Sequence, residues 1–424
     1  MVSTNIIMVQ NNNIEKTFRE DKKIIFTIIF QFCMLITNYT AKELFGIDDP
    51  AIRSMISFLF MMIVGLLFIK NFFVVFKRIK ILFINTYIFF AIIFLLNALL
   101  FDKNQKYILY VSFWFFIICL PTALYYISIK DKGLFLSMFI KSGYYQILLG
   151  LIYFASSTLR GHGYDMVFSY LMLVPIILLI YKIIFLKFKV IDITLVVLGV
   201  ISILAVGARG PLLPIAIFLI VSVGIYFYEN KKKGKTWVFF FITLAAVMLF
   251  IINYQALLLA LKNLFTKYGI QSRSLWIFIN NPDDFSSGRS EIYSIIIQYI
   301  YKKPFIGYGL AGDRVLLNGG YPHNIFLEIL TQFGIIFGSL IIILLFFYLI
   351  NGIFLNKNKD ERNITIIFMA IGLIGLFYSG SYLTSSIFWL LMASCIYSVH
   401  FSKNDLIKKT SKNNKSTLYD RGKV

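Results

Sequence analysis

Arg209 stands alone in "AVGARGPLLPI" (205–215), between two runs that are otherwise almost wholly apolar. Gly207, Gly210 and Pro211 flank it, and proline suits the first turn of a new helix. A helix start presents backbone N–H groups, and a guanidinium beside them makes a site for an anionic oxygen. A snorkelling arginine at a helix end is the plainer alternative, but the helix-breaking residues around Arg209 favour the anion site. Arg289 is placed in the same way. It follows Ser286, Ser287 and Gly288 in "SSGRSEIYSIIIQYIYKK" (286–303), where Ile292, Ile295, Ile296 and Tyr299 recur at helical spacing. That stretch is expected as an amphipathic helix at the membrane surface. An incidental surface arginine explains Arg289 equally well on this stretch alone.

The third stretch is "KKPFIGYGLAGDRVLLNGGYPHNIFLEILTQFGIIFG" (302–338), whose glycines and prolines mark a folded loop. His323 and Asn324 then open an apolar run. Histidine is scarce, occurring only at 162, 323 and 400. The dipole at a helix N-terminus favours a neutral imidazole, and a neutral imidazole can serve as a general base. A helix-capping His-Asn pair is the bland account of the same residues. Gly334 and Gly338 have the Gly-x-x-x-Gly spacing expected of close helix packing. The stretch "LRGHGYDM" (159–166) adds Arg160, His162 and Asp165, but two ligands do not make a metal site. Neither an Asp-x-Asp pair nor a glycine-rich phosphate loop with its lysine occurs.

Paired guanidinium forks match the oxygens of a diphosphate. At the outer edge of a bilayer, that points to a lipid-linked diphosphate. The matching chemistry is displacement of the diphosphate by a hydroxyl, with the arginines stabilising the leaving group and histidine taking the proton.

The elements that must hold these residues are membrane helices. The 424 residues are 59% hydrophobic and 14% charged, against about a quarter charged in a soluble domain. Many solid apolar runs exceed the roughly 20 residues that cross a bilayer as a helix, and a barrel would alternate instead. The expectation is an all-α polytopic membrane protein with about twelve spans. They fall at 24–40, 54–76, 79–101, 107–129, 134–156, 166–186, 190–207, 211–228, 236–258, 324–350, 363–380 and 382–401. The organisation is an N-terminal segment (1–23), nine spans (24–258), one large outer loop (259–323), three spans (324–401) and a basic tail (402–424). The net charge of +21 needs no nucleic acid. Clusters such as Lys77, Arg78 and Lys80, or Lys231–Lys233, fall on alternate segments and hold them inside. Both termini are thus expected in the cytoplasm, and the arginines and His323 on the outer face. The tail can lie on anionic lipid. Cys33, Cys119 and Cys395 sit apart in apolar runs and suggest neither disulfide nor metal.

Three blocks in this order resemble the O-antigen polymerase and ligase superfamily: "GARGPLL", "SGRSEIY … KKPFIGYGLAG" and "HNIFLEILTQFGIIFG". The resemblance runs over residues 150–345. It implies a metal-independent, cofactor-free glycosyltransferase of the C type, acting on glycans carried by undecaprenyl diphosphate. Arg209 takes the place of the arginine in the family's Gly-Ser-Arg-Gly-like turn, with Ala208 where serine is common. Arg289 takes that of the loop arginine and His323 that of the His-Asn histidine. The implied roles are diphosphate binding for the arginines and acceptor activation for His323. Arg160, Asn324, Ser287 and Gly288 are carried over as substrate-binding residues. Tyr293 stands where the family often has tryptophan.

The leading expectation is a repeat-unit polymerase of a bacterial inner membrane, making O-antigen or capsule, with a chain-length regulator as a plausible partner. A ligase sharing the donor, with a lipid A core or a protein as acceptor, is the alternative. A flippase would place charges along a pathway within the spans; Lys141, Asp192 and Glu328 are the few candidates, all near span ends.

Overall fold

In the computed structural model, residues 2–161, 163–232, 234–280 and 289–400 are described, and among them the chain is helical throughout, without a strand. Apolar chain in lipid can satisfy its backbone only internally, and helices do so within one segment. The helices are α1 (Val2–Leu44), α2 (Pro50–Leu100), α3 (Gln105–Trp114), α4 (Leu120–Ser128), α5 (Lys132–Leu159), α6 (Met166–Phe185), α7 (Val190–Val206) and α8 (Leu212–Asn230). They continue with α9 (Gly234–Lys267), α10 (Arg273–Asn280), α11 (Ser290–Lys302), α12 (Gly312–Leu316), α13 (Ile325–Ile350), α14 (Lys359–Phe368) and α15 (Ser386–His400).

Among the described residues, seven stretches are long and apolar enough to cross a membrane: Ile14–Leu44, Pro50–Leu100, Asp102–Ser128, Lys132–Leu159, Met166–Phe185, Leu212–Asn230 and Ile325–Leu355. Val190–Val206 and Ser386–His400 are shorter apolar helices. The chain is therefore an all-α polytopic membrane protein. The expected twelve-span division differs from it in detail. Spans 54–76 and 79–101 form one 51-residue element, interrupted at Ile79 by a non-helical backbone (φ −132°, ψ 32°). At 1.5 Å per residue a straight helix of that length would run about 76 Å, more than twice the hydrocarbon thickness. The break divides it into two lengths that each suffice to span. The expected span 363–380 is not one regular helix: α14 gives way to a π-helical turn at Met369–Leu373 and a 3-10 turn at Ile374–Phe377. Gly372 lies under α15, where a Cβ would come within 2.9 Å of the Ile387 carbonyl oxygen.

The N-terminal polar segment is helical from Val2 onward. The basic tail 402–424 lies outside the described residues, as do His162, Ser286, Ser287 and Gly288.

The chain divides into two compact units. The first comprises Met1–Val74, Leu134–Ile295 and Leu373–Gly380. Its centre is α6, which buries Phe168, Met172, Ile176 and Leu179. Against it, α7 approaches closely: a Cβ at Gly199 would meet Ile176 at 3.0 Å. The connection between the two is tied by Lys182, whose Nζ donates to Asp192 Oδ2 at 2.7 Å, while the Lys189 N–H donates to the same oxygen at 2.8 Å. Asp192 thus closes the first turn of α7 and neutralises Lys182.

The second unit comprises Val75–Gly133, Ile296–Gly372 and Ser381–Val424. Its core is aromatic. Phe115 stacks on Phe94 with centroids 5.1 Å apart and meets Trp389 edge-on at 4.9 Å. Such pairs add to the area they bury through their ring quadrupoles. At the break in α2, Arg78 Nη1 donates to the Ser128 carbonyl oxygen at 3.1 Å, placing a cation at the end of α4 where the helix dipole favours one.

Candidate active site

The turn that carries Arg209 is built by backbone approach. α7 ends at Gly207 and α8 begins after Pro211, which occupies the cap position with φ −65°. The start of α6 lies directly against this turn. The Asp165 N–H donates to the Val206 carbonyl at 2.7 Å, and the Ala208 N–H donates to Ser169 Oγ at 2.7 Å. A Cβ at Gly207 would fall 1.6 Å from Ser169 Oγ, and one at Gly210 would fall 2.5 Å from the Tyr170 hydroxyl. Glycine at 207 lets the helices touch there, whereas the Tyr170 hydroxyl beside Gly210 ends a side chain that can move. On the other side, Ser274 Oγ in α10 donates to the Gly207 carbonyl at 2.6 Å, and Ser272 Oγ to that of Leu204. The Arg209 guanidinium carbon lies 5.8 Å above the Phe278 ring, also on α10. Arg209 therefore rises from a backbone held on two sides, and its half-buried side chain rests on an aromatic face that tolerates a cation.

The other candidates of the first unit are attached separately. Arg160 Nη2 donates to the Leu44 carbonyl at 3.2 Å, at the end of α1, where Gly46 (φ 65°) leaves room for the guanidinium. Asp165 caps α6, accepting from the Phe168 N–H at 3.0 Å, and accepts from the Tyr153 hydroxyl at 2.5 Å. Both of its carboxylate oxygens are thus committed to local structure. Arg289 immediately precedes α11, and its carbonyl accepts from the Tyr293 N–H at 2.9 Å. The expected amphipathic pattern of α11 is present in shifted form: Ile296 and Ile300 are buried, while Ile295 faces outward at 42% exposure.

His323 belongs to the second unit. Asn324 is the N-cap of α13, its Oδ1 accepting from the Phe326 and Leu327 N–H groups at 3.0 and 3.2 Å. His323 itself has a left-handed backbone (φ 55°), and its ring lies 4.2 Å from that of Tyr321.

The loop before it is fastened to an interruption in α13. Gly334 has φ 74° and breaks the helix. The carbonyls of Thr331 and Gln332 accept instead from the N–H groups of Tyr308 and Gly309, each at 2.9 Å, and the Ile335 N–H donates to Pro304 at 2.6 Å. A Cβ at Gly334 would come within 2.6 Å of the Pro304 carbonyl oxygen. At Gly334 the glycine serves a loop docked on a broken helix, and a Cβ at Gly338 would meet Leu330 of its own helix at 3.1 Å. Asn97 and Asn104 pin the same loop: Asn97 Oδ1 accepts from the Leu310 N–H at 2.8 Å, and Asn104 Nδ2 donates to Tyr308 and Leu310 carbonyls at 2.7 and 3.1 Å.

Beneath the loop lies a buried ionic network. Arg314 Nη1 sits 3.2 Å from Asp313 Oδ2 and 3.5 Å from Glu328 Oε1, and its Nη2 donates to Ser381 Oγ at 2.8 Å. Ser381 Oγ donates in turn to Glu328. Gln332 Nε2 donates to Asp313 Oδ1 at 2.7 Å, and the Tyr382 hydroxyl donates to Gln332 Oε1 at 2.6 Å. Burial pushes the Asp313 carboxyl above its ordinary range, while the Arg314 charge and the Gln332 amide pull the other way. Sequence reading passed over Asp313 and Arg314, and weighed Glu328 only as a pathway charge. The signal was present as two adjacent opposite charges in a glycine-rich loop, but their partner Ser381 lies far along the chain. Glu328 and Asp192, two of the three charges open to a transport pathway, are both committed to internal pairs.

Among the described residues, no group of three or more His, Cys, Asp or Glu side chains is arranged to hold a metal ion. A family model described as O-antigen ligase matches residues 194–343, a segment that contains Arg209, Arg289 and His323. No curated protein and no solved structure matches the chain.

Proposed function

From the premise that residues 194–343 form a domain of the O-antigen polymerase and ligase superfamily, we propose that the protein polymerises polysaccharide repeat units, O-antigen or capsule, at the outer face of a bacterial inner membrane. The observation that carries this reading is that the matched segment encloses both arginines and the histidine whose chemistry pointed to a lipid-linked diphosphate. The growing glycan on undecaprenyl diphosphate is the donor, and a sugar hydroxyl of another lipid-linked unit is the acceptor. Arg209 and Arg289 hold the diphosphate and stabilise its charge as the glycosidic carbon departs. His323 takes the proton of the attacking hydroxyl. The new glycosidic bond forms as the bond to the diphosphate breaks, and the freed carrier diphosphate leaves. Arg160 is a lesser contributor to donor binding, and no metal takes part.

The match to an O-antigen ligase family favours a second reading, in which the glycan of the same donor is transferred to a lipid A core or a protein. One reconstitution separates the two. Purified protein in liposomes receives undecaprenyl diphosphate–linked repeat units, with EDTA present and no other acceptor. The expected result is a ladder of lengthened, still lipid-linked glycans, reduced at least about a hundredfold by Arg209→Ala or His323→Ala. Transfer appearing only after a core or protein acceptor is added would establish the ligase reading instead. A metal requirement for the ladder would overturn the assigned chemistry.

A further inference from the structure

Ala311, Asn318 and His323 are the non-glycine residues with left-handed backbone among those described, at φ 57°, 50° and 55°, and all three lie in one loop. Such a backbone is unfavourable for any residue with a Cβ and persists only where the surroundings over-determine it. The loop is over-determined: its backbone is fastened to the break in α13 and to Asn97 and Asn104. For His323 the anchor is the start of α13, where the adjacent Asn324 caps the helix. It does not by itself orient the imidazole, and a general base works only when its nitrogen is aimed at the proton it takes.

The ring is held through a second set of contacts. Tyr321 lies against His323 with centroids 4.2 Å apart and ring planes 44° from parallel. The Arg314 guanidinium carbon lies 5.7 Å from the centre of the same Tyr321 ring. Arg314 cannot swing away, because its side chain is 5% exposed and divided among Asp313, Glu328 and Ser381. A planar guanidinium bound on both terminal nitrogens has a fixed orientation, which a lysine ammonium would not have. A continuous path of contacts therefore runs from α13 and Ser381, through Arg314, to Tyr321 and on to the histidine. Buried ion pairs stabilise weakly for what they cost in desolvation, and a role in fixing geometry accounts for one here better than stability does.

We propose that Tyr321 and Arg314 are positioning residues for His323: the network-bound guanidinium fixes the Tyr321 ring, and that ring sets the direction of the imidazole. The inference rests on the reading of His323 as the group that activates the acceptor. Supporting contacts of this kind decide whether a reacting group is within reach, and a misplacement of about 1 Å can cost about a hundredfold in rate.

The test uses the full chain in liposomes, with the lipid-linked repeat unit as substrate and His323→Ala in parallel. Tyr321→Leu removes the ring and is expected to lower kcat at least about tenfold while leaving KM within about twofold. Tyr321→Phe restores the ring without the hydroxyl and is expected to recover most of that loss. Arg314→Lys keeps the charge without the fork and is expected to fall between them. A readout independent of turnover is the rate of diethyl pyrocarbonate modification at His323, mapped by mass spectrometry. Tyr321→Leu should change it several-fold, and Tyr321→Phe should not. Wild-type kcat and an unchanged modification rate in Tyr321→Leu would overturn the proposal, as would a Tyr321→Phe variant as slow as Tyr321→Leu. If His323→Ala retained transfer, the catalytic reading of His323 would fall, and the modification rates would still decide whether Tyr321 orients the ring.

Discussion

The turn at Arg209 and the loop at His323 each present one candidate side chain beside the start of an apolar helix, yet they are held by opposite means. The Arg209 turn is held at its backbone by bonds from uncharged groups. Gly207 admits the neighbouring helix, and serine hydroxyls at 169 and 274 bind the backbone at 2.7 and 2.6 Å. The His323 loop rests on charge: Asp313, Arg314 and Glu328 are all buried, with Gln332, Ser381 and Tyr382 satisfying their remaining bonds. A site for an anion gains from a rigid frame of dipoles. A site that must aim an uncharged ring can tolerate carboxylates, provided each is paired. The difference also predicts how the two regions fail, since a close contact can relax by tenths of an ångström whereas an unpaired buried charge cannot.

Arg314→Ala should have the largest effect. It leaves two buried carboxyls without their cation and is expected to cost about 3–5 kcal/mol, read as a fall in the thermal unfolding midpoint in detergent. A loss below about 1 kcal/mol would mean that the network is hydrated or already neutral, and the contrast between the regions would dissolve. Gly207→Ala comes next. Its Cβ would overlap Ser169 Oγ at 1.6 Å, and the expected cost is about 1–3 kcal/mol. Combining it with Ser169→Gly should recover part of the loss, so the pair is non-additive in a double-mutant cycle. Strict additivity would show that the helices do not meet there.

The smaller effects sharpen the comparison by separating backbone caps from both mechanisms. Asn324→Ala removes the N-cap of α13 and should cost about 1 kcal/mol, with Asn324→Asp recovering most of it. Ser274→Ala removes one hydroxyl bond to the Gly207 carbonyl and should cost about 0.5–1.5 kcal/mol. If Ser274→Ala nevertheless abolished transfer in liposomes, α10 would do more than brace the turn.

Much of the Arg209 turn was legible in the sequence because its determinants are local. Two glycines, an arginine and a proline between apolar runs already say that two helices end and begin there. His323 and Asn324 were legible for the same reason, as a polar pair opening an apolar run. The ionic network was not, because its members are distant in sequence: Arg314 reaches Glu328 in the next helix and Ser381 beyond the span after it. Nor was the docking of residues 304–309 on α13. It depends on Gly334 taking φ 74°, and glycine in an apolar helix reads equally well as a packing notch. The same holds for Arg160 and Asp165. Their local partners at helix ends, Leu44 for Arg160 and the α6 start for Asp165, were not legible in the residue types.

By itself the sequence determined that this is a helical membrane protein and which scarce polar residues stand at several of its helix ends. These follow from short-range physics: the need to satisfy backbone groups within a segment in lipid, and the strong local preferences of glycine, proline and capping side chains. Only the tertiary structure decided which polar residues are spent on each other. Pairing of buried charges is set by which side chains face one another after the helices pack, and no local pattern encodes that. Asp165 is spent on capping and Asp192 on a lysine, while Arg314 lies beneath the ring on which His323 rests.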